Sequence, residues 1–366
     1  MTRPVLIMAG GTGGHIFPAL AVARRLRERG VPLLWMGSRA GMENRIVPQA
    51  GIRLLTIAVT GLRGRGALAL LGAPFKLLLA LSQALVLMLR NRPAAVLGMG
   101  GFASGPGGLA AWLLRVPLLL HEQNAVLGYT NRLLAPLATR LMEAFPGTFP
   151  RPDVVHTGNP VRAEIAAIVP PEDRAREAGR LRILVLGGSQ GARVLNDIVP
   201  AALAELRIAA ADGRRPAATA IEVWHQAGAG KLAHTRDAYA RAGIEARVDE
   251  FIVAMETAYA WADLVICRAG AMTIAELSAA GVASVLVPYP HAVDDHQTAN
   301  AAYLTAAQAA LLISQDDLTP QGLAGVIRGL TAEPRELLRM AIAARRAGRP
   351  QATDEVAELC MEAAYA

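Results

Sequence analysis

Val5-Leu6-Ile7-Met8-Ala9-Gly10-Gly11-Thr12-Gly13-Gly14-His15 is the stretch that decides how this chain folds. A short apolar run ends in a glycine-rich turn. Helical spacing then begins, with Ile16, Leu20, Ala23 and Leu26 on one stripe, Arg24, Arg25, Arg27 and Glu28 beside them, and Gly30 as the stop. This reads as a buried strand, a tight turn and an amphipathic helix. Glycines let the backbone approach a ligand, and the free N–H groups and dipole of the next helix favour an anion such as phosphate. The arrangement recurs 177 residues later, where Ile183-Leu184-Val185-Leu186 runs into Gly187-Gly188-Ser189-Gln190-Gly191-Ala192. The first turn lacks the dinucleotide spacing and no Lys-Ser/Thr pair makes a Walker loop. Two such turns predict an enzyme with two phosphate-bearing substrates in a cleft between two domains.

Working outward, short apolar strands alternate with helical segments. Strands are expected at residues 32–36, 54–58, 95–98, 117–121 and 139–143, then at 182–186, 221–225, 246–250, 264–267 and 283–288. That alternation predicts an α/β protein with doubly wound parallel sheets. A break falls at Gly158-Asn159-Pro160 and the polar stretch 170–180. The expected organisation is an N-terminal domain over 1–161, a second domain over 162–340, and a helical tail over 341–366 returning to the first domain. Thr353 is a candidate cap for the last helix, and 366 residues suffice for two cores.

Residues 1–161 carry 17 Arg or Lys against 5 Asp or Glu, a net +12, while the remainder is −5, giving the overall +7. A first domain this basic is drawn to an anionic surface. Aromatics are 4% of the chain and no zinc-finger, basic-zipper or RNA-binding signature occurs, so no nucleic-acid partner is expected. Cys267 and Cys360 have no metal spacing, which points to a reducing compartment and no metal site. No signal-peptide pattern opens the sequence, since the apolar run after Pro4 is only five residues long. Residues 67–89 are long enough to span a bilayer, but Pro74, Lys76, Ser82 and Gln83 interrupt them and Arg63, Arg65, Arg90 and Arg92 flank them. The stretch reads as one or two helices with an exposed apolar face that docks among lipid headgroups; a core helix or a true span are the competing readings.

Further motifs follow in order. They are Gly100-Gly101-Phe102-Ala103-Ser104-Gly105-Pro106-Gly107-Gly108, His121-Glu122-Gln123-Asn124 and Gly158-Asn159-Pro160-Val161-Arg162 in the first half. In the second half come Arg268-Ala269-Gly270-Ala271-Met272-Thr273-Ile274-Ala275-Glu276 and Asp294-Asp295-His296-Gln297-Thr298-Ala299-Asn300. Each lies at the carboxyl end of an expected strand or at a helix start, where open α/β sheets bind ligands.

In this order the motifs resemble the MurG family, the lipid-II-forming N-acetylglucosamine transferases of peptidoglycan synthesis, over nearly the whole chain. The resemblance implies a GT-B fold, two Rossmann-like domains whose parallel sheets face each other across a cleft. It also implies transfer of GlcNAc from UDP-GlcNAc to the 4-hydroxyl of MurNAc in undecaprenyl-pyrophosphoryl-MurNAc-pentapeptide (lipid I), with inversion and with no metal or cofactor. The first domain would take lipid I and the second UDP-GlcNAc. The implied location is peripheral, on the cytoplasmic face of the inner membrane, with an anionic lipid surface and cell-wall or division enzymes as candidate partners.

Carried over residue by residue, Thr12, Gly13 and Gly14 stand beside the donor sugar and the acceptor diphosphate, with Gly101, Ser104 and Gly105 as further acceptor candidates. Asn124 and Gln297 match sugar-contacting positions, and Arg162 and Ser189 match positions near the UDP phosphates. Ile252 matches the residue whose backbone meets uracil. Ala271, Met272, Thr273, Ile274, Ala275 and Glu276 match the loop and helix start under the diphosphate and ribose. Family members often carry two adjacent glutamines where this chain has His296-Gln297, and the role of His296 stays open.

Chemistry supports several of these roles. Inverting transfer needs a base for the acceptor hydroxyl and a cradle for departing UDP. His15 is the candidate base, because imidazole as a residue type titrates near neutrality and the residue follows the first turn; Glu122 is the runner-up. Glu276, read as lying on the first turn of a helix, suits bidentate binding of ribose hydroxyls, against a plain helix-dipole role. The alternatives are a UDP-GlcNAc 2-epimerase, a diacylglycerol sugar transferase, or a non-catalytic nucleotide-sugar sensor.

Overall fold

The structure, a computed structural model, describes residues 2–59, 73–175, 177, 179–188, 191–211, 220–333 and 335–365. The chain divides into two compact units, Met1–Arg162 with Arg349–Ala366, and Ala163–Gly348.

The first unit runs β1 (Val5–Met8), α1 (Gly13–Glu28), β2 (Leu33–Ser38), α2 (Glu43–Gln49), β3 (Arg53–Ile57), α3 (Ala73–Asn91), β4 (Ala95–Gly98), α4 (Ser104–Leu113), β5 (Leu118–Glu122), α5 (Tyr129–Leu134), β6 (Arg140–Glu143) and β7 (Val154–His156). All seven strands are parallel in the order β3-β2-β1-β4-β5-β6-β7. Ile7 sits beside Trp35 on one side and Leu97 on the other. Both faces of β1 are buried: Val5 and Ile7 face a core completed by α1, and Leu6 and Met8 face one completed by α3 and α4. This is why β1 is a continuous apolar run rather than an alternating one.

The second unit runs α6 (Ala163–Ala166), β8 (Arg180–Leu186), α7 (Arg193–Ala211), β9 (Ala220–Gln226), α8 (Leu232–Ala242), β10 (Arg247–Asp249), α9 (Met255–Trp261), β11 (Leu264–Cys267), α10 (Ala271–Ala280), β12 (Ala283–Leu286), α11 (His296–Ala306), β13 (Ala310–Leu312), α12 (Pro320–Ala332) and α13 (Glu336–Ala347). Its six strands are again parallel, ordered β10-β9-β8-β11-β12-β13. One core under α7 and α12 gathers Leu195, Leu203, Ile266, Leu323 and Ile327.

The last helix, α14 (Ala352–Tyr365), belongs to the first unit. Val356, Ala357 and Cys360 are fully buried in the core beside Val5 and Ile7, and Arg25 of α1 and Arg29 just after it pair with Asp354 and Glu358. The expected boundary at 340/341 therefore needs correction: it falls inside α13, which stays with the second unit, and the chain crosses back at Arg349. Thr353 is no cap either; its hydroxyl donates to the Val161 carbonyl at 2.8 Å, tying α14 to the end of the unit's main segment. Two strands were not foreseen, β7 and β13, each only three residues long.

Candidate active site

In the first unit the expected site residues other than Arg162 gather at the carboxyl ends of β1, β4 and β5, three strands adjacent in the sheet. Thr12 N-caps α1 with extended backbone and no side-chain cap bond, so the N–H groups of Gly13 and Gly14 open the helix without intrahelical partners. No acidic side chain occupies that first turn, which keeps the positive end of the dipole available to an anion. His15 follows on the same turn, half-buried, with its Nδ1 2.8 Å from Gln123 Oε1. Its ring lies on Gly100, where φ is +94° and an added Cβ would come within 2.6 Å of Nδ1. Glycine at 100 is thus required both by the backbone conformation and by the imidazole.

Two residues brace the first turn: Trp35, which the sequence suggests only as a core or rim residue, and Glu43, to which it gives no role. Trp35 Nε1 donates to the Ala9 carbonyl at 2.8 Å. Glu43, fully buried, accepts from Gly11 N (3.2 Å), Ser38 N (2.9 Å) and Ser38 Oγ (2.7 Å). Burial alone would raise the Glu43 pKa; the hydrogen bonds from Ser38, from its own N–H and from Gly11 outweigh it and hold the carboxyl below its ordinary value. The signal available beforehand was a lone acidic residue among Gly37, Ser38 and Gly41 just past a strand.

Glu122 occupies a different kind of place from His15. It is 3% exposed, Oε1 accepts from Asn124 N at 3.1 Å, and Oε2 accepts from Gly128 N at 3.0 Å and Asn131 Nδ2 at 2.9 Å. Both oxygens shape the loop that carries Asn124, which leaves the carboxylate poorly placed to reach an acceptor hydroxyl. Ser104 is likewise buried, its hydroxyl donating to the Gly100 carbonyl at 2.9 Å, so it braces the third glycine turn; Gly101 and Gly105 beside it remain partly open. Arg162 is half-buried and closes the main segment of this unit.

In the second unit, Ser189 and Gln190 lie outside the described residues. Gln226, at the end of β9, connects two parts of the expected donor site. Its Nε2 donates to the Gly188 carbonyl at 3.1 Å and its Oε1 accepts from Ile252 N at 3.2 Å. The Ile252 N–H is therefore spoken for, and its side chain is 3% exposed.

Gly270 N-caps α10 with extended backbone, so Ala271, Met272 and Thr273 form the first turn and Ile274 closes the first intrahelical bond to Gly270. Ile274 is fully buried, whereas Met272, Thr273, Ala275 and Glu276 are partly accessible. The placement of Glu276 is corrected here: it is the sixth residue of α10, not part of the first turn. The helix starts at the glycine, with no polar cap to mark it in the sequence. One turn in, the dipole stabilises a carboxylate little, which removes the plain electrostatic explanation for Glu276. Tyr259 Oη donates to Glu276 Oε2 at 3.0 Å and orients it.

Gln297 is the second residue of α11; its Oε1 accepts from Tyr289 N at 2.9 Å, leaving the amide NH2 to donate elsewhere. His296 donates from Nδ1 to the Val293 carbonyl at 2.7 Å. Asp294 and Asp295 before it are both left-handed, φ 53° and 49°, a cost of about 1 kcal/mol or more each that concentrates at ligand sites. Cys267 is fully buried, and burial pushes its thiol pKa up, which excludes it as a nucleophile.

Comparison with known proteins bears on the whole chain. Residues 5–143 match the glycosyltransferase family 28 N-terminal domain and residues 182–356 its C-terminal domain. The UDP-N-acetylglucosamine--N-acetylmuramyl-(pentapeptide) pyrophosphoryl-undecaprenol N-acetylglucosamine transferase of Nitrosococcus oceani is 57% identical over 368 residues, covering 100% of this chain and 99% of the relative. The protein of the same name from Alkalilimnicola ehrlichii is 55% identical, covering 100% of each. The crystal structure of Acinetobacter baumannii MurG is similar with a TM-score of 0.84 at 40% identity, covering 98% of this chain and 99% of that one. With its two Rossmann-like units, one built on a seven-stranded and one on a six-stranded parallel sheet, the chain has the GT-B fold and belongs to the MurG family within glycosyltransferase family 28.

Proposed function

We propose that this protein is an inverting hexosyltransferase that moves GlcNAc from UDP-GlcNAc to the 4-hydroxyl of MurNAc in lipid I, forming lipid II. Full-length identity to the named relatives supports the reaction. The observation that carries the mechanism is the half-buried imidazole of His15, held through Nδ1 by Gln123 beside the open first turn of α1. His15 Nε2 takes the proton of the acceptor hydroxyl as its oxygen attacks the anomeric carbon. The bond from that carbon to the UDP β-phosphate oxygen breaks, and its electron pair leaves with UDP.

The N-terminal turn of α10, with Thr273, and the guanidinium of Arg162 would hold the departing diphosphate. Glu276, oriented by Tyr259, would bind the ribose hydroxyls; the NH2 of Gln297 and Asn124 would hold the sugar. The N–H groups of Gly13 and Gly14 would meet the acceptor's diphosphate.

The test is release of UDP from UDP-GlcNAc with and without a lipid I analogue. Acceptor-dependent release and a β-linked product are expected. Acceptor-independent turnover to an epimer, or tight UDP-GlcNAc binding without turnover, would each overturn the reading.

Membrane docking belongs to the same proposal. Among the described residues no helix is long and apolar enough to cross a membrane. On α3, Ala80, Ala84 and Met88 are buried at helical spacing, while Phe75 is 78% and Leu78 63% exposed. Exposed Leu79, Trp112, Leu113 and Leu133 extend the apolar surface over α4 and α5, with exposed Lys76, Arg90, Arg115 and Arg132 on the same three helices or just beyond them. Residues 67–72 of the expected docking stretch lie outside the described residues. An apolar surface edged with cations suits insertion at an anionic headgroup layer. Leu78→Glu with Leu79→Glu is expected to cut binding to phosphatidylglycerol vesicles while UDP binding stays unchanged; undiminished vesicle binding would refute it.

A further inference from the structure

We propose that Gln123 is a positioning residue which, together with His121, dictates the nitrogen on which His15 carries its proton and so leaves Nε2 as the basic atom. The inference rests on His15 being the base. It starts from two backbone carbonyl oxygens, groups that can only accept hydrogen bonds.

The Gly158 carbonyl lies 2.9 Å from His121 Nε2, so that nitrogen bears a proton. His121 is fully buried, and burial pushes its pKa down to about 4, so the ring is neutral and Nδ1 offers a lone pair. The second anchor is the carbonyl of His121 itself, 3.0 Å from Gln123 Nε2. Only the NH2 end of an amide can face a carbonyl, which settles the side chain's orientation without reference to either histidine. The same NH2 lies 2.9 Å from His121 Nδ1, the atom already left with a lone pair. Gln123 Oε1 is then the atom 2.8 Å from His15 Nδ1, and because oxygen accepts, Nδ1 must donate. The chain of donors has one solution, and it ends with the lone pair of His15 on Nε2.

The chain is also held rigidly. Gln123 is 1% exposed, and Asn159 Nδ2 donates to its carbonyl at 2.9 Å. Among the described residues, β5 carries the titratable groups His121 and Glu122 and the first turn has Glu43 beneath Gly11, while the loop from Gly100 to Ser104 carries none. The partner of Nδ1 is a neutral amide rather than a carboxylate, so it orients the imidazole without setting a negative charge beside it. A base that must shed its proton after every transfer gains from that neutrality.

The first measurement needs no substitution: 15N-histidine NMR of the intact enzyme should show His15 protonated at Nδ1 when neutral, and a dominant Nε2–H form would overturn the proposal. Gln123→Met should then lower kcat about 10- to 100-fold, keep the UDP-GlcNAc KM within about threefold, and leave His15 a mixture of tautomers. Gln123→Glu restores an acceptor at Nδ1; it should recover the single tautomer and move the acid limb of the pH profile of kcat/KM up by about one unit. A Gln123→Met enzyme equal to wild type in kcat and tautomer would overturn the relay. His15→Ala separates the two claims. Normal turnover there sinks the base itself, whereas loss there with an unaffected Gln123→Met sinks only the relay.

Discussion

Each unit contains a buried chain of polar side chains anchored on a backbone carbonyl, and the two chains end differently. In the first unit the chain runs from Gly158 through His121 and Gln123 to His15, a side chain that reaches solvent. In the second it runs from the Ala227 carbonyl to Asn196 Nδ2 (3.0 Å), from Asn196 Oδ1 to His225 Nε2 (3.0 Å), and from His225 Nδ1 to Tyr239 Oη (2.8 Å). All three of those side chains are buried, and together they staple α7, β9 and α8. Burial pushes His225 down to about 3 and raises the Tyr239 hydroxyl. The same chemistry thus serves cohesion in the second unit and, in the function proposed above, catalysis in the first. What separates them is whether the last group of the chain is accessible, not whether a histidine is buried in it.

The largest expected effect lies at the open end. His15→Ala should cost several hundred-fold in kcat with UDP-GlcNAc affinity within about threefold, read by steady-state kinetics. Near-normal turnover would erase the contrast altogether. At the closed end, Tyr239→Phe leaves His225 Nδ1 buried without its partner. It should lower unfolding stability by about 1–3 kcal/mol in a denaturant titration while kcat changes less than twofold.

Acid sensitivity sharpens the comparison because both chains contribute with one sign. His121 and His225 titrate at about 4 and about 3 when folded, below the ordinary 6.5, so the unfolded chain binds protons first. Their contribution is intact above roughly pH 6.5 and is lost progressively as the pH falls toward 4 and 3. Glu43, also depressed on folding, adds stability above its unfolded value that disappears as the pH drops through the folded one. Urea midpoints should therefore decline steadily below pH 6.5; a flat profile down to pH 4 would contradict the neutral, buried state of both rings. The smallest effect is expected at Glu122: Glu122→Gln keeps an acceptor in the loop and should reduce kcat less than about tenfold. A loss matching that of His15→Ala would reassign the base.

The central strands were legible because strands covered on both faces are unbroken apolar runs closed by glycine or a small residue. Residues 95–98 and 264–267 coincide with β4 and β11. Edge strands carry less signal, so β7 and β13 escaped notice. His15, the proposed base, could be nominated from the turn that precedes it. Gln123 and Glu43 could not be given roles, since the partners that define those roles, His15 and Gly11, lie 108 and 32 residues away in the chain. The Glu276 misplacement has a local cause: a glycine cap shifts the helix start without leaving a polar residue to mark it.

The position of α14 has a consequence for biogenesis. The unit whose strands are synthesised first cannot complete the core around Val5 and Ile7, which α1 covers in part, until Val356, Ala357 and Cys360 have left the ribosome, after the entire second unit. During translation the strip of that face reserved for the last helix therefore stays uncovered, open to chaperones or to aggregation. A disturbance of the final fourteen-residue helix should be felt at the amino-terminal sheet, far away in sequence, before it is felt in the second unit that immediately precedes it.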